Sequence, residues 1–481
     1  MKSYRPAFAI VTVLFFMWGF ITCMNDILIP FVKAVFELTR AQSMLIQMAF
    51  FSAYFFGSLI YFIISTTTGD PIQKIGYKNG IVAGLIISAI GTGMLYPAAG
   101  LRVYGLFLAA LFILGLGFTL LQIAANPYVA ILGEEKTASG RLNLSQGFNS
   151  FGTTIAPIIG GYLVFHLFSG KGLSLLNAQG NPITLADGST VSAMGVQIPY
   201  LIFTFLFVVL ALVFIFIKLP QFSDETHVER GLGALRYRHL LFGMFAIFFY
   251  VGGEVSIGSI MINYLHELKG FAEMDAKSYL ALYWGGLMIG RFIGAYAFGQ
   301  QKISAITFLG MLGISILGFG VIYTAIYLEG GKSLHLFLPY IAYLALNILA
   351  FYFGRTRPGL TLSIFAGIAL LLIGTSMFTH TDLAMWSILG IGLFNSIMWS
   401  NIFTLAIKGL GKYTSQGSSL LVMMILGGAL LPFITGHVAD ILGGYQKALF
   451  VPAISYLYLM WYGLKGSKQK NTIQDQSKYS A

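Results

Sequence analysis

The chain has 481 residues, 57% of them hydrophobic and only 9% charged, with a formal net charge of +11. A soluble domain carries about 25% charged residues, so this composition excludes a water-soluble globular protein and points to many helices packed in a bilayer. The positive charge is no sign of nucleic acid, because membrane proteins gather Lys and Arg on one side; the single cysteine, Cys23, excludes an intrachain disulfide and a multi-cysteine metal site.

At ~20 apolar residues per crossing, the sequence predicts helices over 8–33, 44–66, 79–98, 103–125 and 143–167, a polar loop over 169–197, and a sixth helix over 198–218. The first run lacks a small-residue cleavage site and continues to Pro30, so it reads as a retained helix rather than a signal peptide. Asn25 and Asp26 sit deep within it. A charge there costs roughly 2.5–3.5 kcal/mol unless it faces a bundle interior or a wet cavity. Asp26 is therefore a candidate ion or substrate ligand, with a structural carboxylate as the alternative; Thr22 lies one turn back on the same face.

The densest polar cluster follows on helices four and five. Gln122 and Asn126 are one turn apart, as are Gln146 and Asn149, with Thr153 continuing the stripe. Amides offer donors and acceptors without charge, the chemistry that holds vicinal hydroxyls of a sugar; the competing role is interhelical bonding, worth about 0.6 kcal/mol each.

A charged connection over 219–239 divides the chain into halves of 1–218 and 240–464, followed by a polar tail over 465–481. The second half predicts helices over 240–265, 276–299, 303–328, 334–354, 359–379, 384–408, 415–437 and 446–464, which gives fourteen crossings in all. The chain's seventh helix carries Glu254, and the eighth carries Arg291. Buried ions normally pair, so a Glu254–Arg291 brace and a direct coupling role for Glu254 stand side by side. Trp284, Trp399, Tyr250 and Tyr283 can stack on a sugar ring or simply pack. His437 and Asp440 are two potential ligands, too few for a metal site.

Most of the 28 lysines and arginines fall on the side of the termini, so both termini are expected in the cytoplasm of a cell (inner) membrane protein. An internal repeat pairs Leu144–Gly147 with Thr414–Gly417, and Asn126 with Asn401. Same-order repeats predict parallel halves enclosing a site at their interface and rocking about it.

The turn Gly69-Asp-Pro-Ile-Gln-Lys74-Ile-Gly76-Tyr-Lys78 resembles a degraded glycine-and-basic loop of the major facilitator superfamily. More specific are Asn25-Asp26-Ile-Leu-Ile-Pro30, Ala124-Ala-Asn-Pro-Tyr-Val129, Arg141 to Gly152, Gly252 to Gly258, Gly392-Leu-Phe-Asn395-Ser-Ile397 and Thr414 to Ser418. Together they are similar to the fucose–glucose/galactose symporter family of that superfamily, over nearly the whole chain. The resemblance implies twelve core helices, monosaccharide uptake and cation coupling. It implies that the positions of Asp26, Gln146 and Asn149 serve coupling and sugar binding and that Trp399 lines the same cavity; Asn25, Gln122, Asn126 and Asn395 are further candidates for the sugar cavity from their polarity, and Glu254, where the fucose branch is uncharged, is a second candidate for coupling. The chain departs from the fucose branch in two ways. Gln122 replaces a helix-four carboxylate, as in the glucose/galactose branch, so no two-acid relay runs through that position. Two extra helices, near 303–354, enter before the stretch that matches the family's ninth helix.

The expected protein is an all-helical secondary transporter that imports a hexose by symport with H⁺ or Na⁺. It uses no cofactor, works as a monomer in the lipid bilayer and binds no nucleic acid. A proton-driven drug exporter of the same fold would have a more apolar cavity. An intramembrane enzyme would need a nucleophile–base or metal constellation, and the histidines are scattered; a passive channel does not fit the two-half repeat.

Overall fold

Long apolar runs separated by short polar turns become helices because a bilayer offers the backbone no water to bond. A computed structural model describes residues 5–36, 38, 40–161, 182, 192–220, 230–300 and 302–469, and every element assigned among them is helical. The first half comprises α1 (Arg5–Val35), α2 (Arg40–Thr68), α3 (Pro71–Gly100), α4 (Tyr104–Ile131), α5 (Ala138–Gly161) and α6 (Met194–Phe216). The second comprises α7 (Arg238–Lys269), α8 (Glu273–Phe298), α9 (Ala305–Gly330), α10 (Tyr340–Gly354) and α11 (Pro358–Phe378). It continues with α12 (Asp382–Asn395), α13 (Met398–Ile407), α14 (Thr414–Met423), α15 (Gly427–Leu442), α16 (Tyr445–Ala448) and α17 (Phe450–Trp461). Ten helical stretches among the described residues are long and apolar enough to cross a membrane.

Local sequence explains where several helices begin and bend. The turn from Gly69 to Lys78, expected as a loop, is mostly the start of α3. Asp70 caps it by accepting from the N–H groups of Ile72 at 3.0 Å and Gln73 at 3.4 Å, with Pro71 at the first helical position. The helix then breaks at Gly76, whose φ of 81° suits a residue without a Cβ. Helix α4 runs past its expected end at 125 to Ile131, through Pro127. Neighbouring helices and polar side chains re-satisfy the backbone group that such a proline frees. The end of the helix expected to reach 167, and most of the 169–197 loop, lie outside the described residues, and α6 begins at Met194, inside the range expected as loop.

Packing repeats between the halves. Helix α3 lies against α4 and α6, as α11 lies against α12 and α17; α1 lies against α5 as α7 lies against α15; α2 meets α4 as α8 meets α12. Helix α11 thus occupies in the second half the place of α3 in the first. Helices α9 and α10 have no counterpart: α9 packs mainly on α8, and α10 mainly on α11. The repeat register needs one correction. A single 3₁₀ turn, Glu135–Thr137, precedes α5 at Ala138, and another, Gly411–Tyr413, precedes α14 at Thr414. That offset agrees within one residue with the Asn126–Asn401 pairing, whereas the Leu144–Gly147 match to Thr414–Gly417 is displaced by about one and a half helical turns. The Ser-Gln-Gly likeness is a coincidence of small polar residues.

The halves meet along α5–α8 and α2–α14, and the cross-bonds gather at the end that carries the α2–α3 and α4–α5 turns. Ser415 Oγ donates to Asp70 at 2.7 Å, and Gln416 Nε2 to Ser65 Oγ at 3.3 Å. The hydroxyls of Ser139 and Thr404 are 2.7 Å apart, Asn143 Nδ2 donates to Asn401 Oδ1 at 3.4 Å, and Lys408 pairs with Glu135 at 2.9 Å. The segment between the halves docks here too, since Gln416 accepts from Ala234 N and donates to Gly231 O. Among the described residues, hydrogen bonds between the halves reach no further along α5 than Ser150. The bundle is sealed at this end.

Candidate functional site at the seam between the halves

Two polar clusters, one from each half, meet where the sealed end gives way. In the first, α4 and α5 bring together Gln122, Asn126 and Gln146, all buried, and the Gln146 amide donates to Asn126 Oδ1 at 3.5 Å. The Gln122 side chain also addresses the hydroxyl of Tyr54 on α2, which Trp18 of α1 addresses in turn. Gln122 Oε1 and Asn126 Nδ2 are buried with no hydrogen-bond partner in the protein, and so is Trp399 Nε1 on α13. Leaving such an atom unpaired costs about 1–3 kcal/mol. Atoms of that kind are where a polar ligand or water would be completed by the bundle. The Trp399 ring stacks on Phe403, with 6.2 Å between centroids and 21° between planes.

Asn149 has a different place. Its amide donates to Phe15 O at 3.0 Å, so here it ties α5 to α1. The backbone of α1 passes through Asn25 and Asp26, but their side chains lie outside the described residues.

The second cluster centres on Tyr283. Asn395 Nδ2 donates to its hydroxyl at 2.9 Å, and Tyr456 donates to Asn395 Oδ1 at 2.7 Å. The Tyr283 hydroxyl donates in turn to Glu254 O at 2.8 Å. Asn395 is therefore committed to holding α8, α12 and α17 together. Tyr250, one turn before Glu254, donates to the Glu254 carboxylate. Trp284 leans on Gly258, where a Cβ would stand 2.4 Å from its ring.

Arg291 links the clusters. It is 8% exposed and donates through Nε to Ser396 O at 3.2 Å. Through Nη1 it reaches across to Gln146 O at 3.4 Å and to Ser150 Oγ. It forms no ion pair with Glu254 among the described residues; Tyr250 mediates, interacting with both. The expected brace is thus a three-membered chain, and it grips the opposite half as well. Sequence reasoning missed Tyr54, Ser150 and Tyr456. Ser150 could have been found, because it lies one turn after Gln146 on the same helix; Tyr54 and Tyr456 carry no local signal among so many apolar neighbours.

The assembled groups are amides, phenols, an indole, one carboxylate and one guanidinium, a set that hydrogen-bonds a neutral polyhydroxylated molecule. Among the described residues no three His, Cys, Asp or Glu side chains gather to hold a metal; His437 and Asp440 stand together on α15 without further ligands.

Residues 7–354 match the model of the Major Facilitator Superfamily. The chain is 42% identical over 474 residues to a glucose/galactose transporter of Brucella abortus, covering 97% of this chain and 95% of the relative. It is 31% identical over 464 residues to the L-fucose-proton symporter of Escherichia coli, covering 95% and 92%. Its fold matches the crystal structure of a Major Facilitator Superfamily transporter, FucP, in the outward conformation with a TM-score of 0.74 at 28% identity, over 97% of this chain and all of that one.

Proposed function

The chain belongs to the Major Facilitator Superfamily, within its fucose–glucose/galactose symporter family, and from that premise we propose that it imports a glucose/galactose-type hexose by symport with H⁺ or Na⁺. It is a transporter, not an enzyme, as its fold and relatives have it. The observation that carries the substrate class is that the unpartnered buried polar atoms include Gln122 Oε1 and Asn126 Nδ2, one turn apart on α4, and Trp399 Nε1 on α13. An amide acceptor, an amide donor and an indole N–H supply what hydroxyls and a ring face need. Gln146 completes the group through Asn126, and Asn149 would exchange its bond to Phe15 for a sugar hydroxyl.

In this reading fourteen passages cross the membrane, with both termini and the 219–239 linker in the cytoplasm. The sealed end, rich in Lys and Arg, then faces the cytoplasm, and the conformation is outward-facing. Uptake proceeds by rocking one half against the other about the central site. Asp26, with Glu254 as a second ionisable group, senses the driving ion. Ion and sugar must then raise each other's affinity, since linkage is reciprocal.

The test is counterflow of labelled glucose in proteoliposomes, competed by a panel of unlabelled hexoses. Gln146→Ala and Asn149→Ala should each weaken sugar binding by about 1–3 kcal/mol, the cost of leaving a buried partner unmet. Binding within twofold of wild type in both variants removes them from the site. Absence of glucose and galactose counterflow in active protein removes the substrate class.

A further inference from the structure

The extra helix α9 builds something the twelve-helix core lacks. With α5 as one wall, α8 as the floor and α9 as the other wall, it encloses a groove of about 570 Å³, within the size range of small-molecule sites. The walls are Leu144, Phe148 and Phe151 on α5, Phe292 on α8, and Leu317 and Val321 on α9. The groove straddles the seam between the halves, just beyond the Arg291–Ser150 bond. Leu317 is 73% exposed and Phe148 37% exposed, on helices whose outer faces are apolar. An unfilled apolar groove forfeits dispersion contacts on every wall, and in a bilayer the filler at hand is an acyl chain.

Polarity is graded along the groove. Its lining at Met288, Ile289 and Val321 is apolar, while Tyr296 and Gln300 line it toward the sealed end. There the helices approach closely: a Cβ on Gly140 would stand 3.1 Å from Gly299 N. Lys136 lies one turn before Gly140, and Lys302 three residues after Gly299, both exposed. The neighbouring acids are already countered, Glu135 by Lys408 at 2.9 Å and Glu134 by the nearby Arg141 guanidinium. One exposed lysine thus stands on each side of the seam, next in sequence to the place where α5 and α8 approach. Basic pockets between membrane helices bind anionic headgroups.

We propose that this groove is a binding site for an anionic phospholipid of the leaflet at the sealed end, one acyl chain lying between α5 and α9 and the headgroup held by Lys136 and Lys302. Because the chain touches both halves, the lipid favours the conformation in which α5 and α8 are together. The extra helix is then a lipid-holding element, whatever solute the transporter carries.

The experiment uses the full chain in nanodiscs doped with phosphatidylglycerol or phosphatidylcholine carrying a photoreactive diazirine on one acyl chain. Labelling should concentrate on peptides spanning 144–151, 288–300 and 314–321 and favour phosphatidylglycerol. Lys136→Gln and Lys302→Gln should each reduce that preference about fivefold. Leu317→Trp, which fills the groove from a membrane-facing position, should abolish the concentration of label. Labelling spread evenly over all membrane-facing helices overturns the site. Concentrated labelling with no headgroup preference overturns the anionic assignment, and cross-links between two copies through these peptides assign the groove to a dimer contact instead.

Discussion

Ser415→Ala tests the sealed end most cleanly. Asp70 is 3% exposed and Ser415 1% exposed, and the Ser415 hydroxyl donates to Asp70 Oδ2 at 2.7 Å across the seam. Asp70 keeps its other donors when Ser415 is cut back, because Tyr61 at 2.6 Å, Ser65 at 3.3 Å and the cap N–H groups all belong to its own half. The substitution therefore removes one charge-assisted bond that exists only while the halves are together, and strands no buried charge. Such a bond is worth about 1.5–3 kcal/mol net. The ratio of sealed to open conformers should fall by about 10- to 150-fold. Ser139→Ala is the calibrating comparison: it breaks a neutral bond to Thr404 of the same 2.7 Å length, worth about 0.5–1.5 kcal/mol, or roughly 2- to 10-fold. Pulsed spin-label distances between the ends of α4 and α13 in nanodiscs report the populations. The pair is buried, so salt should screen the difference little. If the two variants shift the distribution equally, the Asp70 charge contributes nothing to sealing. If Ser415→Ala leaves it unchanged, the contact does not hold the halves.

Other outcomes follow from the same geometry. Gly140→Val should open the sealed end by the same spin-label measure, because its Cβ would press Gly299 N at 3.1 Å and Ala295 O at 3.2 Å. Trp399→Phe replaces the indole with a smaller phenyl ring and deletes the unpartnered N–H; sugar affinity should drop about 2- to 10-fold. Tyr456→Phe strands Asn395 Oδ1, so it should cost about 1–3 kcal/mol of stability with sugar affinity little changed. Asp26→Asn should retain counterflow and lose ion-driven accumulation, measured in vesicles under imposed H⁺ and Na⁺ gradients; a mutant that still concentrates sugar like wild type makes Asp26 structural.

The sequence by itself determined a great deal of this protein. Runs of apolar residues dictated the helices, since hydrocarbon leaves the backbone no other partner. Amides at one-turn spacing, Gln122 with Asn126, marked the first-half cluster, because helical periodicity places such residues on one face without reference to any other helix. What it left open depended on contacts between distant segments. Gln146 and Asn149 look equivalent as neighbours on one helix, yet Gln146 turns to Asn126 and Asn149 to Phe15 O on α1. Arg291 looked like a partner for Glu254, yet tertiary packing set Tyr250 between them and aimed the guanidinium at Ser150 in the other half. Asp70 read only as part of a loop between two helices, and packing made it the buried acceptor that joins α2, α3 and α14. The reason is common to all three. A polar side chain in a membrane bundle takes whichever partner the packing brings within about 3 Å, and which helices lie that close is fixed by the fold, not by spacing along the chain.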